Sequence, residues 1–131
     1  MLAMTPNDEV NSLASLHFKG ILGKHSVFQL PRQTAPDESY VSLKLGGQNL
    51  FGTNITYEYL AIRFSTGAAI HTLKVDNLKS YQEKRDKIES LFTITSDGKL
   101  NIRRTNEPPQ VYEGYTVIGL INGTDKEEFM D

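Results

Sequence analysis

The sequence predicts an α+β fold, a mostly antiparallel sheet of about five or six strands with two helices packed on one face. Three observations predict it. Residues 54–65 (Asn-Ile-Thr-Tyr-Glu-Tyr-Leu-Ala-Ile-Arg-Phe-Ser) are β-branched and aromatic throughout, with no proline or glycine inside, and carry the longest uninterrupted strand signal. Two stretches, residues 6–22 and 77–91, instead repeat their apolar residues at helical spacing. The remaining strand candidates are grouped and joined by short connections, which favours antiparallel pairing with the helices segregated to one face.

The first helix is expected over about residues 6–22. Thr5 is placed to cap it, Pro6 suits the first helical position, and Asp8 and Glu9 face the positive end of the dipole. Val10, Leu13, Ala14, His17 and Ile21 recur along one stripe, and Gly20 and Gly23 mark the end. Leu16, Phe18 and Leu22 widen the apolar surface, which predicts a helix covered on more than one side, by the sheet and by a neighbouring chain.

A short strand is expected within residues 25–30, followed by a proline-containing loop over 31–38. Residues 39–45 alternate, with Val41, Leu43 and Leu45 inward, as in a half-buried strand. Gly46 and Gly47 turn the chain, and Leu50 and Phe51 are apolar residues in a loop, expected to tuck under the sheet edge. In the central strand 54–65, Thr56, Glu58, Leu60, Ile62 and Phe64 share one face. Ile55, Tyr57, Tyr59, Ala61 and Arg63 share the other.

Residues 70–75 read as a short extended piece. Asp76 or Asn77 then caps a second helix over about 77–91, with Leu78, Tyr81, Arg85, Ile88 and Phe92 on one face. Lys79, Glu83 and Lys87 lie on its charged flank, Glu83 and Lys87 at the favourable i,i+4 spacing. Strands 92–95 and 99–104 form a hairpin around Asp97-Gly98, a dipeptide that supplies the positive φ angles of a tight turn. A last strand spans 111–121, where Gly114 predicts a bulge or a close backbone approach. Residues 122–131 form a polar, acidic tail.

The 131 residues favour a single domain, and its 38% hydrophobic and 23% charged residues are ordinary for a globular protein. Fourteen basic and sixteen acidic residues nearly balance, so whole-chain charge predicts binding neither to nucleic acid nor to an anionic membrane. The absence of cysteine excludes disulfides, thiolate metal sites and a cysteine nucleophile, and leaves the redox compartment open. No apolar run approaches the roughly 20 residues of a membrane span. The first residues lack the basic and apolar regions of a secretory signal, and Met4 is an alternative start.

No residue set spells a reaction, and the chain is expected not to be an enzyme. His17, His25 and His71 are the only histidines and have no metal-ligand spacing, so neither a metal nor another cofactor is expected. His17 is expected to be a partly buried, hydrogen-bonded histidine. No Gly-x-Ser-x-Gly occurs, the sixteen acids offer no preferred pair, and Gly46-Gly47 lacks the lysine of a phosphate loop. The candidate interaction surface is polar and aromatic: Tyr57, Tyr59 and Arg63 on the central strand, Lys79, Glu83 and Lys87 on the second helix, Arg103 and Arg104 on the hairpin. Tyrosine and arginine are enriched as anchors at protein interfaces, and a Tyr/Arg sheet face also serves as a stacking platform for single-stranded nucleic acid.

In order of elements the chain resembles the small tail-terminator (tail-completion) proteins of long-tailed bacteriophages. The matching pieces are the helix at residues 5–22, the strands 39–45 and 54–65, the helix 77–91, and the closing strands 100–104 and 112–118 with Tyr112-Glu113-Gly114-Tyr115. The resemblance implies a non-enzymatic virion assembly protein, located in the tail or neck and in the host cytoplasm during assembly. Its partners would be further copies of itself in a ring, six by implication, together with tail-tube and neck or connector proteins. A membrane and sequence-specific nucleic acid are not among them. Two alternatives stand beside it: a small protein-binding module such as an immunity or inhibitor protein, and a nucleic-acid binder through the Tyr/Arg sheet face.

Overall fold

A computed structural model describes residues 1–31 and 48–125. The chain divides into two compact units, Met1–Ala61 with Arg104–Asn106, and Ile62–Arg103 with Glu107–Asp131. The strand expected at 39–45, nearly all of the 31–38 loop, the Gly46-Gly47 turn, and the tail beyond Asp125 lie outside the described residues.

The first unit is built on three two-residue strands, β1 (Leu2–Ala3), β2 (Phe28–Gln29) and β3 (Gln48–Asn49), paired parallel in the order β1-β2-β3. Helix α1 (Asp8–Leu22) makes the crossover from β1 to β2 that parallel pairing requires. Its cap is Asn7 rather than Thr5: the Asn7 side chain accepts from the N–H groups of Glu9 and Val10 at 3.0 and 3.1 Å. Pro6 therefore precedes the cap. Gly23 ends the helix at φ 89°, its N–H bonded to Lys19 O at 3.0 Å. The 3-10 turn Lys24–Ser26, holding His25, leads into β2, so only Phe28 and Gln29 of the expected 25–30 strand pair. Val27, Leu30, Leu50, Phe51 and Ile55 are buried, Leu50 and Phe51 as their apolar character demanded. Phe51 takes a φ of 68°, and at Gly52 a Cβ would lie 2.8 Å from Thr105 O. Asn106 closes that approach, donating to Thr53 Oγ1 at 2.7 Å and accepting from the Asn54 N–H at 3.1 Å.

The expected central strand 54–65 is a helix, α2 (Tyr57–Ser65), and the division between the units falls within it. Its start is set locally: Thr56 Oγ1 accepts from the Tyr59 N–H at 3.1 Å, and Thr56 O accepts from Leu60 N–H at 3.1 Å. Glu58 in the first turn and Arg63 in the last complement the helix dipole. Once wound, the segment buries Leu60 and half-buries Thr56, Tyr59 and Arg63 along one face. Strand propensity is a weak preference that such contacts override.

The second unit is a four-stranded antiparallel sheet in the order β4-β7-β5-β6: β4 (Ala69–Lys74), β5 (Ile88–Ile94), β6 (Leu100–Ile102) and β7 (Thr116–Ile121). Helix α3 is shorter than the sequence predicts, Leu78–Lys84, capped by Asn77, whose side chain accepts from the Lys79 N–H at 2.8 Å. The chain then passes through a 3-10 turn, Arg85–Lys87, into β5, so the last residues expected to be helical are extended. Sheet pairing decides this, because β5 pairs with β7 over most of its length and with β6 at its far end. Val75, Ile88, Val117 and Ile121 form the core, with Leu73, Leu78, Tyr81 and Val111 packed against it. The hairpin forms at the predicted place, but Gly98 alone of the dipeptide takes a positive φ, 90°, the strands end at Ile94 and resume at Leu100–Ile102, and Thr95 N–H bonds Lys99 O at 2.9 Å. The last strand begins at Thr116, five residues later than predicted, because Tyr112–Tyr115 make a turn with Gly114 at φ 88°. The close backbone approach falls instead at Gly119, where a Cβ would lie 2.2 Å from Glu89 O, beside the irregularity between Ser90 and Phe92.

The fold class is thus α+β, but the described strands make two sheets, one parallel and one antiparallel, rather than a single antiparallel sheet of five or six strands. Among the described residues there are three α-helices, not two.

Candidate interaction surfaces

Helix α1 is mounted with its apolar stripe outward. The residues it turns inward are Asn11 and Ser15, 2% and 0% exposed, while Leu13 and Ile21 are 67% and 63% exposed. Val10, Leu16, Phe18 and Leu22 are exposed as well. The cause lies in the link from β1. Thr5 donates to Asn11 Oδ1 from its backbone N–H at 3.0 Å and from Oγ1 at 2.7 Å, and Asn11 Nδ2 donates back to Thr5 O at 2.9 Å. Three hydrogen bonds satisfy the buried amide and fix which side of α1 faces the strands. The hydroxyls of Ser12 and Ser15 are also buried and make no hydrogen bond. Their small size lets the helix sit close.

Leu13, Val10 and Ile21 share the outer stripe, Leu16 and Phe18 lie on its two flanks, and Leu22 is exposed at the helix end on the side of Asn11 and Ser15. The exposed stripe leaves roughly a few hundred Å² of apolar surface in water, about the largest apolar patch that a monomer commonly carries, and such patches are often functional. His17 lies on this face, exposed rather than partly buried as the stripe suggested, with its ring edge-on to Phe18 at 5.1 Å between centroids.

The second unit carries a groove of about 770 Å³. Arg63, Lys87 and Arg103 line it, with Arg85, Tyr81 and the Pro108-Pro109 segment. Arg63 is ion-paired to Glu89 at 2.6 Å and donates to Asn122 Oδ1 at 3.2 Å. Arg103 donates to Ser90 O at 3.2 Å. These guanidinium groups brace the groove wall through strand β5.

Of the predicted surface residues, Arg63, Lys87 and Arg103 therefore come together, though not on a sheet face. Tyr57 and Tyr59 stand on α2, the first exposed and the second half-buried, so the Tyr57/Tyr59/Arg63 sheet face does not exist. Lys79 and Glu83 are exposed on α3, and Lys87 lies beyond it in the 3-10 turn, so Glu83 and Lys87 do not share one α-helix as expected. Arg104 belongs to the first unit and donates to Gln48 Oε1 at 2.9 Å. The outer face of α1 is missing from the predicted site residues, although its stripe is plain in the sequence. A stripe normally marks the buried side, and only the inward pull of Asn11 reverses it.

Among the described residues no group of three or more His, Cys, Asp or Glu side chains is placed to hold a metal ion. No described helix is long and apolar enough to cross a membrane. Compared with protein-family models, with curated proteins and with solved structures, the chain matches none of them.

Proposed function

We propose that this protein is a non-enzymatic assembly protein that works by associating with itself and with other proteins. The observation that supports this is the orientation of α1, which buries Asn11 and Ser15 and leaves Leu13 and Ile21 in water. An apolar face of that kind is often a functional contact surface. The specific form we propose is a tail or neck component of a tailed phage, most specifically a tail terminator acting as a closed ring. That form rests on the resemblance in element order. The N-terminal helix α1, the helix α3 and the closing strands β6 and β7 keep their places in that order, while the central strand is replaced by α2.

Native mass spectrometry and light scattering across a concentration series test the proposal. A discrete closed oligomer is expected, and six copies would favour the terminator. A monomer at every concentration, even with tail-tube subunits present, overturns it in favour of the second reading, a binding module with one protein partner. That reading is favoured by the groove in the second unit, whose Tyr81 and arginines are residue types enriched at interfaces.

A further inference from the structure

We propose that the groove of the second unit takes a short acidic peptide segment of another protein, its carboxylates held by Arg85, Lys87 and Arg103. The inference rests on the reading of the protein as a binding module with one protein partner, and names the chemistry of that partner. The groove, about 770 Å³, lies within the size range of ligand sites, so it receives a few residues of chain rather than a whole protein face.

Charge complementarity selects an anionic occupant. Four cations line the groove, Arg63, Arg85, Lys87 and Arg103, against two carboxylates, Asp86 and Glu89. The chain as a whole has the opposite balance, fourteen basic to sixteen acidic residues, so positive charge is concentrated here. Glu89 is taken by Arg63 in the 2.6 Å ion pair, which leaves three cations to one carboxylate on the rest of the described lining. The Arg85 side chain is exposed on its 3-10 turn, and its guanidinium makes no hydrogen bond or ion pair among the described residues. Arg103 is half-buried and anchored by its bond to Ser90 O at 3.2 Å, so its position is set before any ligand arrives. Planar guanidinium groups suit carboxylates, which accept two parallel N–H bonds.

The rest of the lining favours a peptide over a nucleic-acid strand. Asp86 and Glu89 stand among the cations, and Tyr81 is the one aromatic residue of the described lining. A phosphate backbone with stacked bases calls instead for uninterrupted positive charge and successive aromatic platforms. Leu78, Tyr81 and Val111 are half-buried against the core of the unit and line the same groove, which gives an apolar side chain a place beside the carboxylates. Pro108 and Pro109 stiffen one wall, so less conformational freedom is lost when the segment docks.

Fluorescence anisotropy with the full chain and a labelled Glu-Glu-Leu-Glu-Glu-Leu peptide tests this. The acidic peptide is expected to bind, more weakly as salt rises, and the Lys-Lys-Leu-Lys-Lys-Leu counterpart is expected not to bind. Arg85→Glu inverts an exposed charge that has no partner to lose, and is expected to weaken binding about fivefold or more while the circular dichroism spectrum is retained. Lys74→Glu makes the same change of charge at an exposed position of β4 outside the groove lining, and is expected to alter binding less than about twofold. An equal loss from the two variants would mean attraction to net charge and not to the groove, and overturns the proposal, as does tighter binding of an oligothymidylate than of the acidic peptide. If the lysine-rich peptide binds instead and Arg85→Glu changes its affinity, the acidic partner is overturned and the binding-module reading stands. If neither peptide nor the oligonucleotide binds, both fall.

Discussion

Thr5 Oγ1 donates to Asn11 Oδ1 at 2.7 Å, and with the two backbone bonds of Thr5 it holds a polar side chain in the interior of the first unit. The usual relation between an amphipathic helix and its core is reversed here, and the first prediction follows from that reversal. Asn11→Ala removes three hydrogen bonds to Thr5, whose groups are exposed and can turn to water, and should cost about 0.5–1.5 kcal/mol. Leu13→Gln, a change that would be severe in an ordinary core, should stay within about 0.5 kcal/mol, because Leu13 is a surface residue. Urea denaturation at a concentration where the chain is monomeric measures both. A larger loss from Leu13→Gln than from Asn11→Ala would mean that α1 is turned the other way.

Two glycines should respond with opposite sign. At Gly119 a Cβ would meet Glu89 O at 2.2 Å, a backbone atom of the neighbouring strand, so Gly119→Ala must displace the β5–β7 pairing. A loss of at least the 1–3 kcal/mol typical of overpacking is expected. At Gly20, within α1, an added Cβ meets nothing within 4 Å, so Gly20→Ala should stabilise by about 0.5–1 kcal/mol. Thermal melts of the two variants compare them directly.

The hairpin turn carries a pH signature. The Thr95 hydroxyl donates to the Asp97 carboxylate, which holds that carboxyl below the ordinary aspartate value of 3.8; its own backbone N–H, and then the charge of Lys99, act in the same direction. A depressed carboxyl contributes stability that is fully present above the unfolded value and is lost as pH falls through the folded one. Asp97 is fully exposed, so the effect should be local to the hairpin. An NMR titration of the Asp97 carboxyl carbon should place its midpoint below 3.8, and Thr95→Val should raise it. An unchanged midpoint in that variant would remove the hydroxyl as the cause.

Arg63 and Glu89 should show measurable coupling. Their side chains are 20% and 23% exposed and the contact is 2.6 Å, so the pair is better shielded than a surface ion pair. A double-mutant cycle with Arg63→Met and Glu89→Gln should yield about 1 kcal/mol, falling in high salt. Zero coupling would reduce the pair to a bystander of the packing around β5.

Short-range chemistry made part of this architecture legible. The Asp97-Gly98 hairpin, the Gly23 stop of α1 and the Asn77 cap of α3 each depend on residues within a turn or two of one another, and each was readable. Thr56 was readable too, as a cap for α2 with Glu58 and Arg63 at the matching ends, but the aromatic and β-branched content of 54–65 outweighed it. In the candidate site, the sequence brought Arg63, Lys87 and Arg103 into view as surface residues without their common groove, and showed the α1 stripe without its direction.

The sequence by itself determined the α+β class, the lack of thiol chemistry, the tight hairpin and an apolar stripe along the first helix, because composition and local periodicity carry these. The tertiary structure alone decided that residues 88–91 are strand and not helix, since their hydrogen bonds are made by residues near 119–121, some thirty positions away. It alone decided which side of α1 faces water: periodicity defines a stripe but not what lies against it, and three hydrogen bonds between Thr5 and Asn11 turned the polar side in.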